Sequence, residues 1–116
     1  MGVEIRPSQA LRLWHDVTME LVTDGDKDLT ARQMAILLTV YLEPPPHTVR
    51  GLAARLNVTK PVITRALDTL GGMKLLSRKR DEADRRNVVI TRTVAGALYL
   101  EEIADTIVAK AATMPR

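Results

Sequence analysis

The chain has 116 residues, enough for one domain with a modest core, and its 46% hydrophobic and 27% charged content is that of an ordinary folded protein rather than a disordered one. It has no cysteine, which excludes a disulfide scaffold, a thiolate metal site and a thiol redox sensor; it has no Phe, which leaves the core to Leu, Ile, Val, Met and Ala and favours helices. The net charge of +3 is unevenly placed: residues 1–49 carry 4 Lys/Arg against 7 Asp/Glu, residues 50–92 carry 11 against 4, and residues 93–116 carry 2 against 3. A basic middle third of this kind fits a polyanionic partner or a solvated basic face, and charge alone does not choose between them.

The opening MGVEIRPSQA has no basic segment followed by a long apolar run, and nowhere are about 18 apolar residues consecutive. Neither a signal peptide nor a membrane span is expected, and a cytoplasmic location is. Met1-Gly2 begins a myristoylation motif, but Arg6 stands where that motif needs Ser or Thr. Pro7-Ser8 marks a helix start with Ser8 as N-cap, and Leu11, Trp14, Thr18 and Leu21 follow at helical spacing over 8–23. The next segment, DGDKDLT, has the alternating aspartates of a calcium loop, but no Gly follows Asp28 and Ala35 stands at its twelfth position; it reads as a polar linker.

Thr30 caps a second helix with an apolar stripe of Met34, Leu37, Leu38 and Tyr41, and the prolines of EPPPH end it. Thr48 caps a third, with Val49, Leu52, Ala53 and Leu56 inward, and Asn57 is a turn residue. Thr59 caps a fourth, with Pro61 in its first turn and Ile63, Ala66, Leu67 and Leu70 buried. LLSRK (75–79) and NVVIT (87–91) are short strands around a charged tip. Thr93 caps a last helix carrying Leu100, Ile103, Ile107 and Ala111. The fold class is mainly α with a small β-hairpin, in the order α-α-α-α-β-β-α, as a single domain over 1–116.

The segment TVRGLAARLNVTKPVITRALDTL has a helix-turn-helix rhythm: Ala53 permits close approach of two helices and Val58 fills the turn. A second helix of this kind can lie in the major groove of DNA with its first residues at base edges. Its outward residues here are Lys60, Thr64, Arg65 and Asp68, with Pro61 at the leading edge. Arg suits guanine by bidentate bonding, and Thr can give its hydroxyl to a base or a phosphate. The alternative is a plain helical hairpin facing water. The cap, the turn valine, the polar edge and the charge split together favour DNA. A helix-turn-helix followed by a hairpin with a charged tip is a winged helix, whose tip rides on the DNA backbone or inserts an Arg into the minor groove.

From LTARQMAILLTVYL to TVAGALYL the chain resembles the MarR-type winged-helix transcriptional regulators. The matching pieces are LAARLNVTKPVITRALDTL, LLSRK, Asp84-Arg85-Arg86, and the Thr-x-x-Gly of Thr93 and Gly96, together spanning roughly residues 28–100. The resemblance implies a dimeric, ligand- or stress-responsive regulator, such as a repressor, on a pseudo-palindromic double-stranded DNA operator. It places Thr59, Lys60, Pro61, Thr64 and Arg65 on the recognition helix. Asp84 and Arg86 match the wing's Asp-x-Arg, in which the Asp orients the wing by pairing with basic groups and a wing Arg, Arg85 or Arg86, reaches the minor groove. The chain departs from the family at Lys74, where a Gly usually precedes the first strand, and at Arg92, where the residue before Thr93 is usually apolar. Its end segments are also short for the family.

Phosphate contacts are expected from Arg50, Lys79, Arg80 and the wing arginines. The DNA-binding core is expected over 28–92. The terminal helices, 8–23 and 93–112, are expected to form a homodimer through Leu11, Trp14, Leu100, Ile103 and Ile107, which would set two recognition helices about one DNA turn apart. Asp81, Glu82 and Asp84 lie among Lys74, Arg78, Lys79, Arg80, Arg85 and Arg86, so a structural role in the wing suits them better than a metal. His15 and His47 are too isolated for zinc and read as ordinary polar residues; His15, beside Trp14, could line an effector cavity. No nucleophile elbow or phosphate-binding Gly loop is present, so an enzyme is not expected, nor a cofactor beyond a small-molecule effector of unknown kind. The rival reading is a winged helix that binds an acidic protein partner.

Overall fold

The computed structural model describes residues 2–115, in the order α1 (Pro7–Thr23), α2 (Ala31–Leu42), β1 (His47–Thr48), α3 (Val49–Leu56), α4 (Lys60–Gly72), β2 (Leu76–Arg80), β3 (Val88–Arg92) and α5 (Val94–Ala112). The chain separates into two compact units, one of residues 29–99 and one of residues 1–28 with 100–116.

The unit of residues 29–99 holds α2 to β3 and the first turn of α5. Thr30 caps α2 through a reciprocal box: its hydroxyl accepts from Gln33 N–H at 3.1 Å, and the Gln33 carbonyl accepts from Thr30 N–H at 2.9 Å. The buried line of this helix is Ile36, Leu37 and Val40; Met34, Leu38 and Tyr41 are half-buried, so the core-facing stripe is rotated from the expected one. The expected two-stranded hairpin is a three-stranded antiparallel sheet in the order β1-β3-β2. β1 pairs His47 with Ile90 and Thr48 with Val89, while β2 and β3 pair from Leu76 and Arg92 to Arg80 and Val88, each one residue later than the expected strand. Two residues after a proline run carry no strand signal of their own; their ladder partner lies over forty residues away. His47 is thereby buried, 8% exposed, with its Nε2 3.0 Å from the Glu43 carbonyl oxygen, and is no ordinary loop residue.

α4 runs through both Gly71 and Gly72. The left-handed residue that ends it is Lys74, at φ 63°. Lys74 N–H returns to Gly71 O at 3.0 Å and Leu75 N–H to Leu70 O at 3.0 Å, and Leu70 and Leu75 are both fully buried. This is the Schellman arrangement, in which Gly is the usual left-handed residue and Lys74 stands here. Nearby, the Thr93 hydroxyl accepts from Gly96 N–H at 2.9 Å and donates to Lys74 O at 2.8 Å. Tyr41 O–H accepts from Thr93 N–H at 3.0 Å and has Thr93 O and Leu75 O within reach of its own proton. A Cβ on Gly96 would collide with the Tyr41 hydroxyl and the Leu75 carbonyl, which accounts for the Thr-x-x-Gly spacing. The unexpected Arg92 sets its guanidinium 5.6 Å from the centre of the Tyr41 ring and donates Nε–H to Val40 O at 3.2 Å.

In the other unit, α1 begins one residue before the expected cap. Pro7 occupies the first turn, where its missing N–H is tolerated, and the Gln9 carbonyl accepts from Arg6 N–H at 2.9 Å, so Ser8 lies inside the helix. Val17 and Ile103 are buried, and Lys110 pairs with Glu20 at 3.6 Å. Among the described residues no helix is long and apolar enough to cross a membrane.

Candidate nucleic-acid interface

The helix-turn-helix is built from local signals. Thr48 caps α3 by accepting from Gly51 N–H at 2.9 Å. Asn57, at φ 57°, supplies the left-handed turn, and Val58 N–H closes it onto Ala53 O at 3.0 Å. Asn tolerates this conformation better than most residues. Thr59 occupies the N-cap position of α4 with extended backbone, but its hydroxyl makes no cap hydrogen bond. Pro61, second in the helix, has no N–H to offer it, so one of the two usual donors is missing. Ile63, Ala66, Leu67 and Leu70 bury one face of α4; the other presents Lys60, Pro61, Thr64, Arg65 and Asp68 to solvent.

The wing tip is held by its own backbone and acids. Asp81 N–H donates to Asn87 O and Asn87 N–H to Asp84 O, both at 2.9 Å. The Asp81 carboxylate accepts from Ala83 N–H at 2.9 Å. Asp84 accepts from both the backbone N–H and the side-chain Nε–H of Arg86, each at 3.1 Å. These bonds to Arg86, with the more distant charge of Arg50, hold the Asp84 carboxyl below the usual carboxylate range. Arg80 donates to the Arg85 carbonyl at 2.6 Å. The expected shaping of the tip by its acids is thus met partly by backbone donors. Of the surrounding cations only Arg86 forms an ion pair with them among the described residues.

Arg78 reaches away from the tip to Asp68, tying α4, the expected recognition helix, to β2. Sequence reasoning placed both residues in the charged region but had no means of pairing them, since the contact depends on how β2 packs against α4. A groove lined by Val49, Thr64, Arg78, Lys79, Arg80 and Val88 brings the recognition helix, the start of α3 and the wing strands together. Thr59, Lys60 and Pro61 lie at the head of the same helix, and Arg85 and Arg86 are exposed at the tip. Among the described residues Arg50, Lys60, Arg65 and Lys79 form no ion pair, whereas Arg55 is held two-pronged by Glu43 at 2.9 and 3.1 Å. That pairing lowers the Glu43 carboxyl and raises the Arg55 guanidinium from their ordinary values.

The residues expected at a dimer interface belong to the other unit. Leu11 and Trp14 are 72% and 64% exposed and Ile107 is 40% exposed, while Leu100 is half-buried and Ile103 is buried within the chain. His15 is exposed and bonded to Asp16 at 2.9 Å. Among the described residues no three His, Cys, Asp or Glu side chains converge as a metal set.

A helix-turn-helix followed by a sheet-borne basic loop defines a winged helix-turn-helix protein. The MarR family matches residues 29–88, more than half of the chain, and the chain belongs to this family of DNA-binding winged-helix transcriptional regulators. Among solved structures, transcriptional regulator Tm0710 from Thermotoga maritima is similar at 25% identity with a TM-score of 0.65, over 90% of this chain and 68% of that one. The S. aureus MepR–DNA complex is similar at 23% identity with a TM-score of 0.71, over 84% and 77%. The transcriptional repressor CouR bound to a 23-mer DNA duplex is similar at 24% identity with a TM-score of 0.70, over 89% and 68%. No curated protein matches the chain by sequence.

Proposed function

We propose that the chain is a sequence-specific regulator, a repressor by occupancy, that binds a double-stranded DNA operator as a cytoplasmic homodimer. The observation that carries this reading is the row of cations without ion-pair partners, Arg50, Lys60, Arg65 and Lys79, on the exposed side of the α3-α4 unit and the wing. Cations left unneutralised by their own chain are suited to displace counterions from a phosphate backbone. In this reading Thr59, Lys60, Pro61, Thr64 and Arg65 enter the major groove, with Arg65 on guanine. Arg50, Lys79 and Arg80 take phosphates. Arg85 or Arg86 enters the minor groove from a tip that Asp84 holds in shape.

In this reading Leu11, Trp14 and Ile107 supply the exposed apolar surface of the homodimer, Leu100 borders it, and Ile103, expected at the same face, packs inside its own chain and supports the surface from beneath. CouR and MepR were both solved with DNA, which supports DNA as the partner. Any effector is a small molecule, and no catalytic role is assigned. Fluorescence anisotropy of a labelled promoter fragment across a salt series tests this: log affinity should fall linearly with log salt. A flat line would sink the polyanion reading. Capture of an acidic protein with no DNA shift would favour the rival interaction module.

A further inference from the structure

The recognition helix has a second flank, turned away from the wing strands. There Val62, Arg65 and Thr69 of α4 line a groove with Thr30, Arg32 and Gln33 at the start of α2. No acidic side chain lines this groove, and among the described residues neither Arg32 nor Arg65 forms an ion pair. The intrahelical partner expected for Arg65 is Asp68, three residues on. Its carboxylate is engaged by Arg78 on the other flank. The Gln33 side-chain carbonyl is likewise committed to Thr30 N–H. Two exposed guanidinium groups on separate helices thus share one concavity without an internal anion. Such an arrangement is repulsive within the chain and complementary to a phosphate.

We propose that Arg32, on α2, is a DNA-backbone contact: it holds a phosphate beside the base that Arg65 reads, so that α4 is gripped on this flank as the wing grips the other. The proposal rests on the operator-binding reading above. A cation on a neighbouring helix, set beside the leading face of the recognition helix, is placed to fix register rather than to read sequence. Arg32 therefore has a role distinct from that of Arg65, although the two line the same groove.

Anisotropy titrations of the full chain and its Arg32→Ala, Arg32→Lys and Arg65→Ala variants, on a random-sequence duplex and on its own promoter fragment, test the assignment. Arg32→Ala should weaken both duplexes by a similar factor and make the slope of log affinity against log salt shallower by about 0.9 for each Arg32 engaged. Arg32→Lys should keep the slope, because the charge is retained. Arg65→Ala should lose more on the promoter fragment. Arg32 is exposed and Ala is the stronger helix former, so the thermal melt should stay in place and exclude unfolding as the cause. If the wild type binds with normal salt dependence and Arg32→Ala leaves the slope unchanged, the phosphate contact is wrong while operator binding stands. If the wild type shows no salt-dependent binding, both readings fall together.

Discussion

The two units of this chain use their apolar residues in opposite ways. In the winged unit the largest aliphatic side chains are sealed: Ile36, Leu37, Leu52, Ile63, Leu67, Leu70 and Leu75 are all below 2% exposed, and the exposed ones are Leu42 and, one turn apart on α5, Val94 and Leu98. In the helical unit Val17 is sealed, but Leu11, Trp14, Met19, Val22, Ile107 and Val108 are left in solvent. The winged unit buries most of its large apolar side chains within one chain; the helical unit leaves more of them exposed, and this is the surface assigned above to the proposed homodimer. Polar chemistry divides the same way, with the free cations gathered on the winged unit.

The largest expected effect breaks this comparison at its apolar side. If the proposed homodimer closes on this face, Trp14→Asp should give a monomer in sedimentation and weaken promoter binding by at least about 100-fold, because two half-sites would no longer be held at once. It should leave the melt of the winged core in place. A variant that stays dimeric would mean that the exposed face is not the interface. Gly96→Ala attacks the winged unit instead. Its added methyl meets the Leu75 carbonyl, which is backbone and cannot swing aside, so about 1–3 kcal/mol of stability should be lost in denaturant unfolding.

Arg65→Ala is next, with an expected loss of about 1–3 kcal/mol on the promoter fragment and less on random DNA; equal losses would make Arg65 a phosphate contact. Lys74→Gly should go the other way. It relieves a left-handed non-glycine residue at the end of α4 and should add about 1 kcal/mol in the same unfolding assay. The smallest effect is one of pH. Because the Asp84 carboxyl is held below its ordinary range in the folded wing, its contribution is fully present above that range and is lost as pH falls through the lowered value. The Arg86 Nε–H signal in NMR should therefore stay constant from neutral pH down to the usual carboxylate range, about pH 4, and shift only below it. Asp84→Asn should show the shifted signal already at neutral pH.

Legibility followed the range of the interaction. The caps at Thr30, Thr48 and Thr93, the turn at Asn57, the buried face of α4 and the strand–tip–strand pattern are set by residues within a few positions of one another, and each was readable. The misreadings have causes of three kinds. Ser8 failed as a cap because Pro7 takes the first helical position and moves the cap back to Arg6, and the Thr59 hydroxyl because Pro61 offers it no N–H. His47 looked like loop, and Thr48 like a cap alone, because their strand partners, Ile90 and Val89, are distant in sequence. Lys74 looked out of place because residue type was read, while the position is set by a left-handed backbone that Lys adopts here.

By itself, then, the sequence determined the order of the helices, the helix-turn-helix, the charged wing and the basic middle third, since helix caps, hydrophobic period and charge count are local properties. Tertiary structure alone decided the third strand, the burial of His47, and which cations are occupied. Arg55 is neutralised by Glu43 twelve residues back and Arg78 by Asp68 ten back, while Arg32 and Arg65, thirty-three positions apart in sequence, share a groove that holds no acid. Charge can be counted along a chain, but neutralisation depends on distance in space, and packing sets that distance.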